Sequence, residues 1–329
     1  MSRAARDLVR GTAVLCALAA VLLASLPAAA QSYPSRPVTL VVPFTPGTGI
    51  DIIARTLGQR LGEKWGQGFV VDNRPGASGN IGAAAVAKAT PDGYTLMVTA
   101  TSLVTNAAVN KNVPYDPLRS FEPISLVATG TMSLLVSNDT PAHTVGELVS
   151  YAKQRPGELT YASSGNGTPQ HLSMELFKLE AGVDLTHIPY KGSAGAVIDT
   201  VAGRVNAMFI PIHTALPHLQ RKQLRMLAII APERSPMVPN VPTMKEAGFP
   251  NIQIENWYGI LAPAGTPAEI IAKLNAEINA QLASPQVNAI LAKEGLNPVG
   301  STPARLTELI KAEQQRWQRV VSAAGIAAD

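Results

Sequence analysis

Apolar residues along the chain follow two periods. Short β-branched runs alternate with stretches of helical spacing, and loops rich in glycine separate them. Val38–Val42 reads VTLVV and predicts a strand. PFTPGTG breaks it. From Asp51 the segment DIIARTLGQRLGEKWG sets Ile52, Leu57 and Leu61 at roughly helical spacing, with Asp51 as the expected N-cap. Phe69-Val70-Val71 predicts a second strand, IGAAAVAKA a small-residue helix, and TLMVTA a third strand. Strand–helix alternation with short connections is a parallel α/β pattern.

The second half repeats the pattern. SLLVS, LTYAS, NAMFI and LRMLAII read as strands and TVGELVSYAKQR and HLSMELFKLEAG as helices, while DLTHIPY leads to KGSAGAVIDTVAGR, with Val197, Val201 and Val205 four residues apart. WYGILAP, a helix over 266–282 and a last helix over 302–323 follow. In that last helix Leu306, Leu309, Ile310, Trp317 and Val320 form an apolar stripe. So many strands exceed one small sheet, which predicts two α/β lobes with a ligand cleft between them. The first lobe is expected to comprise 31–130 plus 256–329, the second 131–255, with crossovers near 127–132 and 252–259.

The N-terminus departs from this alternation. Arg3, Arg6 and Arg10 precede an uncharged run from Thr12 to Leu26, followed by Ala28-Ala29-Ala30. A basic start, a short apolar run and a small-residue site predict an export signal over 1–30, cleaved after Ala30. The run is about 15 residues, short of the roughly 20 that a spanning helix needs. Cys16, the only cysteine, lies within it, so cleavage leaves no disulfide and no cysteine metal site. The formal charge is +4, of which the first 30 residues carry +2. With no basic block and no aromatic–basic interleaving, nucleic acid is not an expected partner.

Four polar glycine-containing loops follow strands or open helices: 43–51, 73–80, 163–171 and 190–195. Glycine lets backbone approach a ligand closely, and amides at helix starts stabilise an anion. Two such loops in each lobe predict a clamp for a small carboxylate. Among the side chains, Asp51 either caps its helix or faces the cleft. Lys191 either pairs with a ligand carboxylate or is a solvated loop lysine. His171 is either a ligand contact or a structural hydrogen-bonding residue. Phe44 is a candidate apolar wall, and Met208 and Phe209 are candidates for core or wall. Asn73 and Arg74 are expected to brace their loop. Enzyme signatures are weak. Ser150 to Lys153 matches SxxK without its partner motifs, and the five histidines show no HExxH spacing. No catalytic residue, metal or cofactor is expected.

The segments YPSRPVTLVVPFTPGTGIDIIAR, VVDNRPGASGNIGAAAVAKATPDGYTL, YASSGNGTPQHLSMELFK, IPYKGSAGAVIDTVAGRV and VPTMKEAGFP carry a family resemblance. Over nearly the whole chain beyond the export signal, the sequence resembles the Bug (TctC-like) family of periplasmic solute-binding receptors associated with tripartite tricarboxylate transporters. The resemblance implies a type II-like two-lobed periplasmic binding protein that closes on a small organic acid. It also implies membrane transporter subunits as partners; the receptor itself is expected to be a monomer.

Carried over, the resemblance places Phe44, Pro46, Gly47 and Thr48 around one carboxylate, held by backbone amides and water. Gly76, Ala77 and Ser78 would lie beside it, with Thr99, Thr101 and Ser102 near the same group. Asp51 belongs to the same loop. Ser163, Asn166, Thr168 and His171 would approach the other end, with Lys191, Gly192 and Ser193 on that side. Three positions depart from the family pattern. Thr48 and Ser78 stand where glycine is usual, and Asn206 where Asp is common. A sensing adaptor with the same pocket is the alternative to a transport receptor, and an enzyme acting on a small acid is a third reading.

Overall fold

The computed structural model describes residues 33–254 and 256–326. The expected export signal over 1–30, with Cys16, lies outside the described residues.

The chain opens with β1 (Val38–Val42), α1 (Gly49–Trp65) and β2 (Phe69–Asn73). Thr48, not Asp51, occupies the N-cap of α1. Asp51 is the third helical residue, and its carboxylate reaches back to accept the Gly47 N–H at 3.0 Å, much as the acid of a capping box does. Ile53, Leu57 and Leu61 form the buried stripe, while Ile52 is only half-buried. Gly66 ends the helix with φ 66°, the left-handed cap that glycine adopts without steric cost.

Next come α2 (Asn80–Ala87), β3 (Thr95–Ala100), α3 (Ser102–Val109) and β4 (Phe121–Gly130). After the single residue Thr131 the chain enters β5 (Met132–Ser137), α4 (Val145–Lys153), β6 (Thr160–Ser163) and α5 (Pro169–Ala181). It continues through β7 (Thr186–Pro189), α6 (Ser193–Val201), β8 (Ala207–Pro211), α7 (Ile212–Gln220) and β9 (Leu224–Ile230). The last elements are β10 (Asn256–Pro263), α8 (Ala268–Leu282), α9 (Pro285–Lys293), β11 (Leu296–Pro298) and α10 (Pro303–Ala324).

Two sheets result. The first has strand order β11-β4-β10-β3-β1-β2, the second β7-β6-β8-β5-β9. The expected parallel pairing holds for β1 with β2 and β3, and for β6 with β7 and β8. The other pairings are antiparallel: β10 with β3 and β4, β11 with β4, and β5 with β8 and β9. The direct passage from β4 to β5 explains part of this. Without a crossover helix, the chain enters the second sheet against the direction of its parallel strands.

The chain leaves the first sheet at Thr131 and returns between Ile230 and Asn256. The closing helix α10 packs on β4 and α3 of the first sheet. Its Leu306, Ile310, Trp317 and Val321 are buried; Leu309 and Val320 are half-buried. Met208 and Phe209 are core rather than cleft wall, at 1% and 0% exposure. The second sheet buries residues from both faces, so its strands show little alternation.

Candidate functional site

Loops from both sheets meet over a narrow cleft. From the first sheet it is lined by Phe44, Thr48, Gly49 and Ile50 of the β1–α1 turn, Ala100 and Ser102 of the β3–α3 turn, and Asn256 and Tyr258 of β10. From the second come Ser164, Pro169 and Gln170 of the β6–α5 turn, Ser193, and Pro211, His213 and Thr214 of the β8–α7 turn.

Five helices present their first turns here. Gly49 opens α1, Ser102 opens α3, Pro169 opens α5 and Ser193 opens α6, while His213 is the second residue of α7. The first amides of a helix lack intrahelical acceptors and carry the positive end of the macrodipole. No Asp, Glu, Lys or Arg lines the cleft. Its electrostatic character therefore comes from backbone dipoles, hydroxyls and neutral side chains. Phe44, Ile50, Pro169 and Pro211 add apolar surface.

The β1–α1 turn is shaped from outside the cleft. Asp51 is 3% exposed. It accepts the Gly47 N–H and, at 3.0 Å each, Arg55 Nε and Asn73 Nδ2. Asn73 Nδ2 also donates to the Phe44 carbonyl at 3.1 Å, so Asn73 braces this loop. Burial by itself would raise the Asp51 pKa. The hydrogen bonds from Arg55, Gly47 and Asn73, with the Arg55 charge, outweigh it and hold the pKa below the ordinary carboxylate value. Asp51 thus supports the turn and is absent from the cleft lining.

On the opposite side the 163–171 loop is also internally bonded. Ser163 Oγ accepts the Gly165 N–H at 3.1 Å and lies 2.7 Å from His187 Nε2. Thr168 Oγ1 donates to the Gly165 carbonyl at 2.7 Å. His171 Nδ1 accepts the Gly167 N–H at 3.1 Å, and its ring stacks on His187 with centroids 4.2 Å apart. Desolvation lowers the His187 pKa to about 3, helped by the nearby His171 and Lys178.

Of the sequence-predicted residues, Phe44, Thr48, Ser102 and Ser193 line the cleft. Pro46, Gly47, Ala77 and Lys191 are exposed and are not part of the lining. Thr99 and Thr101 are buried to 1% and 0% exposure; the Thr101 hydroxyl accepts the Trp257 N–H at 2.9 Å, tying β3 to β10. Gly76 and Asn166 are half-buried in their loops. Ser78 and Gly192 mark contacts between the two halves. The Ser78 side chain fills the space a Cβ on Gly165 would take, and a Cβ on Gly192 would lie 3.1 Å from Thr45 Oγ1. The halves therefore touch, and the cleft is closed.

Gly49, Ile50, Ser164, Pro169 and Gln170 fall within the 43–51 and 163–171 loops that the sequence singled out, whereas sequence reasoning missed Ala100, Pro211, His213, Thr214, Asn256 and Tyr258. For Asn256 and Tyr258 the signal was available. Alternate residues of a strand share a face, which turns both to the cleft and Trp257 to the core. Asn256 Nδ2 donates to the Tyr258 hydroxyl at 2.6 Å, which leaves the phenol proton for another acceptor. Burial raises the Tyr258 pKa and keeps that proton in place. Burial likewise lowers the His213 pKa to about 4, so this imidazole is neutral at neutral pH.

Two α/β lobes closing on a charge-free cleft ringed by helix starts define a solute-binding receptor fold. The tripartite tricarboxylate transporter family receptor pattern matches residues 53–326, and the chain belongs to that family. A relative from Pseudomonas sp. strain P51, the UPF0065 protein in the tcbD-tcbE intergenic region, is 41% identical over 292 residues, 88% of this chain and 87% of that protein. Two solved structures share the fold. R. palustris Rpa4515 with adipate has a TM-score of 0.87 and 41% identity, covering 90% of this chain and 99% of that one. MatC (Rpa3494) from Rhodopseudomonas palustris with bound malate has a TM-score of 0.84 and 34% identity, covering 88% and 100%. Family and fold place the chain in the periplasm. Among the described residues there is no cluster of His, Cys, Asp or Glu arranged to hold a metal, and no helix long and apolar enough to cross a membrane.

Proposed function

We propose that this protein captures a small carboxylate-bearing organic acid in the periplasm and delivers it, with the lobes closed, to the membrane subunits of a tripartite tricarboxylate transporter. The observation that carries this reading is the convergence of five helix starts on a cleft without charged side chains. An anion there meets aligned amides and hydroxyls, and no cation is needed to hold it. The binding of adipate and malate by structural relatives supports the same class of ligand. In this reading the receptor acts as a monomer, and export proceeds by cleavage after Ala30.

The test is a thermal-shift and calorimetric screen of residues 31–329, unfolded and refolded to empty the cleft. The panel pairs adipate, malate, succinate, citrate, nicotinate and benzoate with their amides. A ligand present at 100 times its Kd stabilises the folded state by about 2.7 kcal/mol, which a melting curve resolves. The expected result is stabilisation by at least one acid and none by its full amide. Stabilisation by neutral compounds alone would overturn the carboxylate reading. Mass spectrometry of the exported protein checks the cleavage site.

A further inference from the structure

Two buried polar atoms on the second-sheet wall of the cleft have no hydrogen-bond partner among the described residues: Ser164 Oγ and His213 Nδ1. Ser164 is 3% and His213 6% exposed. An unpaired buried polar group is costly, so two in one cleft wall call for a shared explanation. They come from adjacent turns at one end of the second sheet. β6 and β8 are adjacent and parallel, and Ser164 and His213 follow their carboxyl ends, on turns that open α5 and α7. The facing wall carries Thr48 and Ser102 at the starts of α1 and α3, together with Phe44 and Ile50. The cleft therefore has polar groups on each wall beside apolar surface.

We propose that His213, with Ser164 beside it, is the specificity-determining contact for a second oxygen-bearing group of the ligand, at the end remote from the carboxylate held by the first sheet. This deepens the receptor reading and rests on it. The ligand class is an acid with polar groups at both ends of a short carbon chain, the second being a carboxylate, carbonyl or hydroxyl. A neutral imidazole has one N–H to donate and one nitrogen to accept. It can serve any of the three groups, while a methyl terminus leaves Ser164 and His213 unpaired. Selection against one-ended acids follows from that penalty. His213 also spans the closed cleft. Its Cε1 and Nε2 lie 2.7 and 2.8 Å from the point a Cβ on Gly49 would occupy, so the ring reaches the opposite lobe only when the halves are together.

The experiment compares two-ended and one-ended acids of equal chain length by calorimetry on the refolded chain: adipate and 6-hydroxyhexanoate against hexanoate, and malate against butanoate. The wild-type protein is expected to prefer at least one two-ended acid over its one-ended match by tenfold or more. In His213→Leu the preference is expected to fall below threefold. The adipate and hydroxyhexanoate arms separate a second carboxylate from an uncharged oxygen. Should leucine prevent folding, His213→Asn and His213→Gln carry the test, since each places an amide near one ring nitrogen and only the matching variant keeps the preference. A preference unchanged in His213→Leu, or equal to wild type in both amide variants, overturns the assignment of His213 and leaves the receptor reading standing. Equal binding of one- and two-ended acids by the wild type does the same. No binding of any acid by the wild type overturns both.

Discussion

The imidazole of His213 occupies the space that a side chain on residue 49 would need. A Cβ built on Gly49 falls 2.7 Å from His213 Cε1 and 3.1 Å from the Tyr258 hydroxyl. Gly49 is the first residue of α1, in the first lobe, and His213 belongs to α7, in the second. The missing side chain thus sets how closely the two halves approach. Gly49→Val is expected to hold the cleft partly open and weaken binding of adipate or malate by about tenfold, roughly 1.4 kcal/mol. Adding His213→Ala should recover part of the closure, giving a coupling of about 0.5 kcal/mol or more in a double-mutant cycle. Scattering of the ligand-loaded chain reads the closure directly. Additive losses would place the obstruction at Tyr258 instead.

Ser78 gives a second test, because it carries a left-handed backbone, φ 57° and ψ 28°, without being glycine. That conformation costs an L-residue roughly 1–2 kcal/mol. No hydrogen bond to Ser78 Oγ offsets it among the described residues. Ser78→Gly is therefore expected to raise the stability of the ligand-free chain by about 0.5–1 kcal/mol, after the entropy glycine adds to the unfolded chain. Urea unfolding measures it. A loss of stability would mean that the Ser78 side chain, seated against Gly165, contributes more through that contact than its backbone costs.

How much of this was legible in the sequence depends on where the information lay. The four glycine loops and the strands before them were readable, because each loop interrupts a local period. The roles within them were less so. Asp51 sits three residues into its helix, and only the fold shows that its carboxylate points back to Gly47 and across to Asn73. His213, Asn256 and Tyr258 sit in or beside apolar runs; strand alternation and sheet order turn Asn256 and Tyr258 to the cleft, and His213 reaches it from the first turn of α7. Asn206 stands where the family pattern commonly has Asp. It braces the sheet instead, its Oδ1 accepting the Thr160 N–H at 2.8 Å. Chain reversal into β10 and β11 depends on long-range pairing that no local period encodes.

Asp51 supplies the third prediction. Asp51→Ala removes a carboxylate that accepts from Gly47, Arg55 and Asn73. Hydrogen bonds to a charged group contribute about 1.5–3 kcal/mol each when buried, but Arg55 is half-exposed and the Gly47 amide can turn to water. A net loss of about 2 kcal/mol in stability is expected. Binding should weaken as well, because the β1–α1 turn loses its brace behind Phe44 and Thr48. Asp51→Asn keeps an acceptor for one donor and should fall between the two. Unchanged binding in Asp51→Ala would show that the turn holds its shape without the carboxylate.

Acidification provides the last test, through two histidines that desolvation holds neutral, His213 buried and His187 half-buried. Desolvation takes His187 to about 3 and His213 to about 4 from an ordinary 6.5. Between those values and 6.5 the unfolded chain binds more protons than the folded one, so stability rises with pH across that window. The contribution is complete above pH 6.5 and lost as pH falls toward 4 and then 3. Asp51 works in the same direction only lower down, as pH drops below its ordinary value of 3.8. Melting temperature between pH 7 and pH 4 should therefore decline, and His187→Gln should flatten the decline because glutamine does not titrate. His187 also lies 2.7 Å from Ser163 Oγ and stacks on His171. Its protonation would disturb the 163–171 loop, so ligand affinity should hold down to about pH 4 and fall only as pH approaches 3. A melting temperature that stays level from pH 7 to pH 4 in the wild-type chain would show that neither ring is held neutral by the fold.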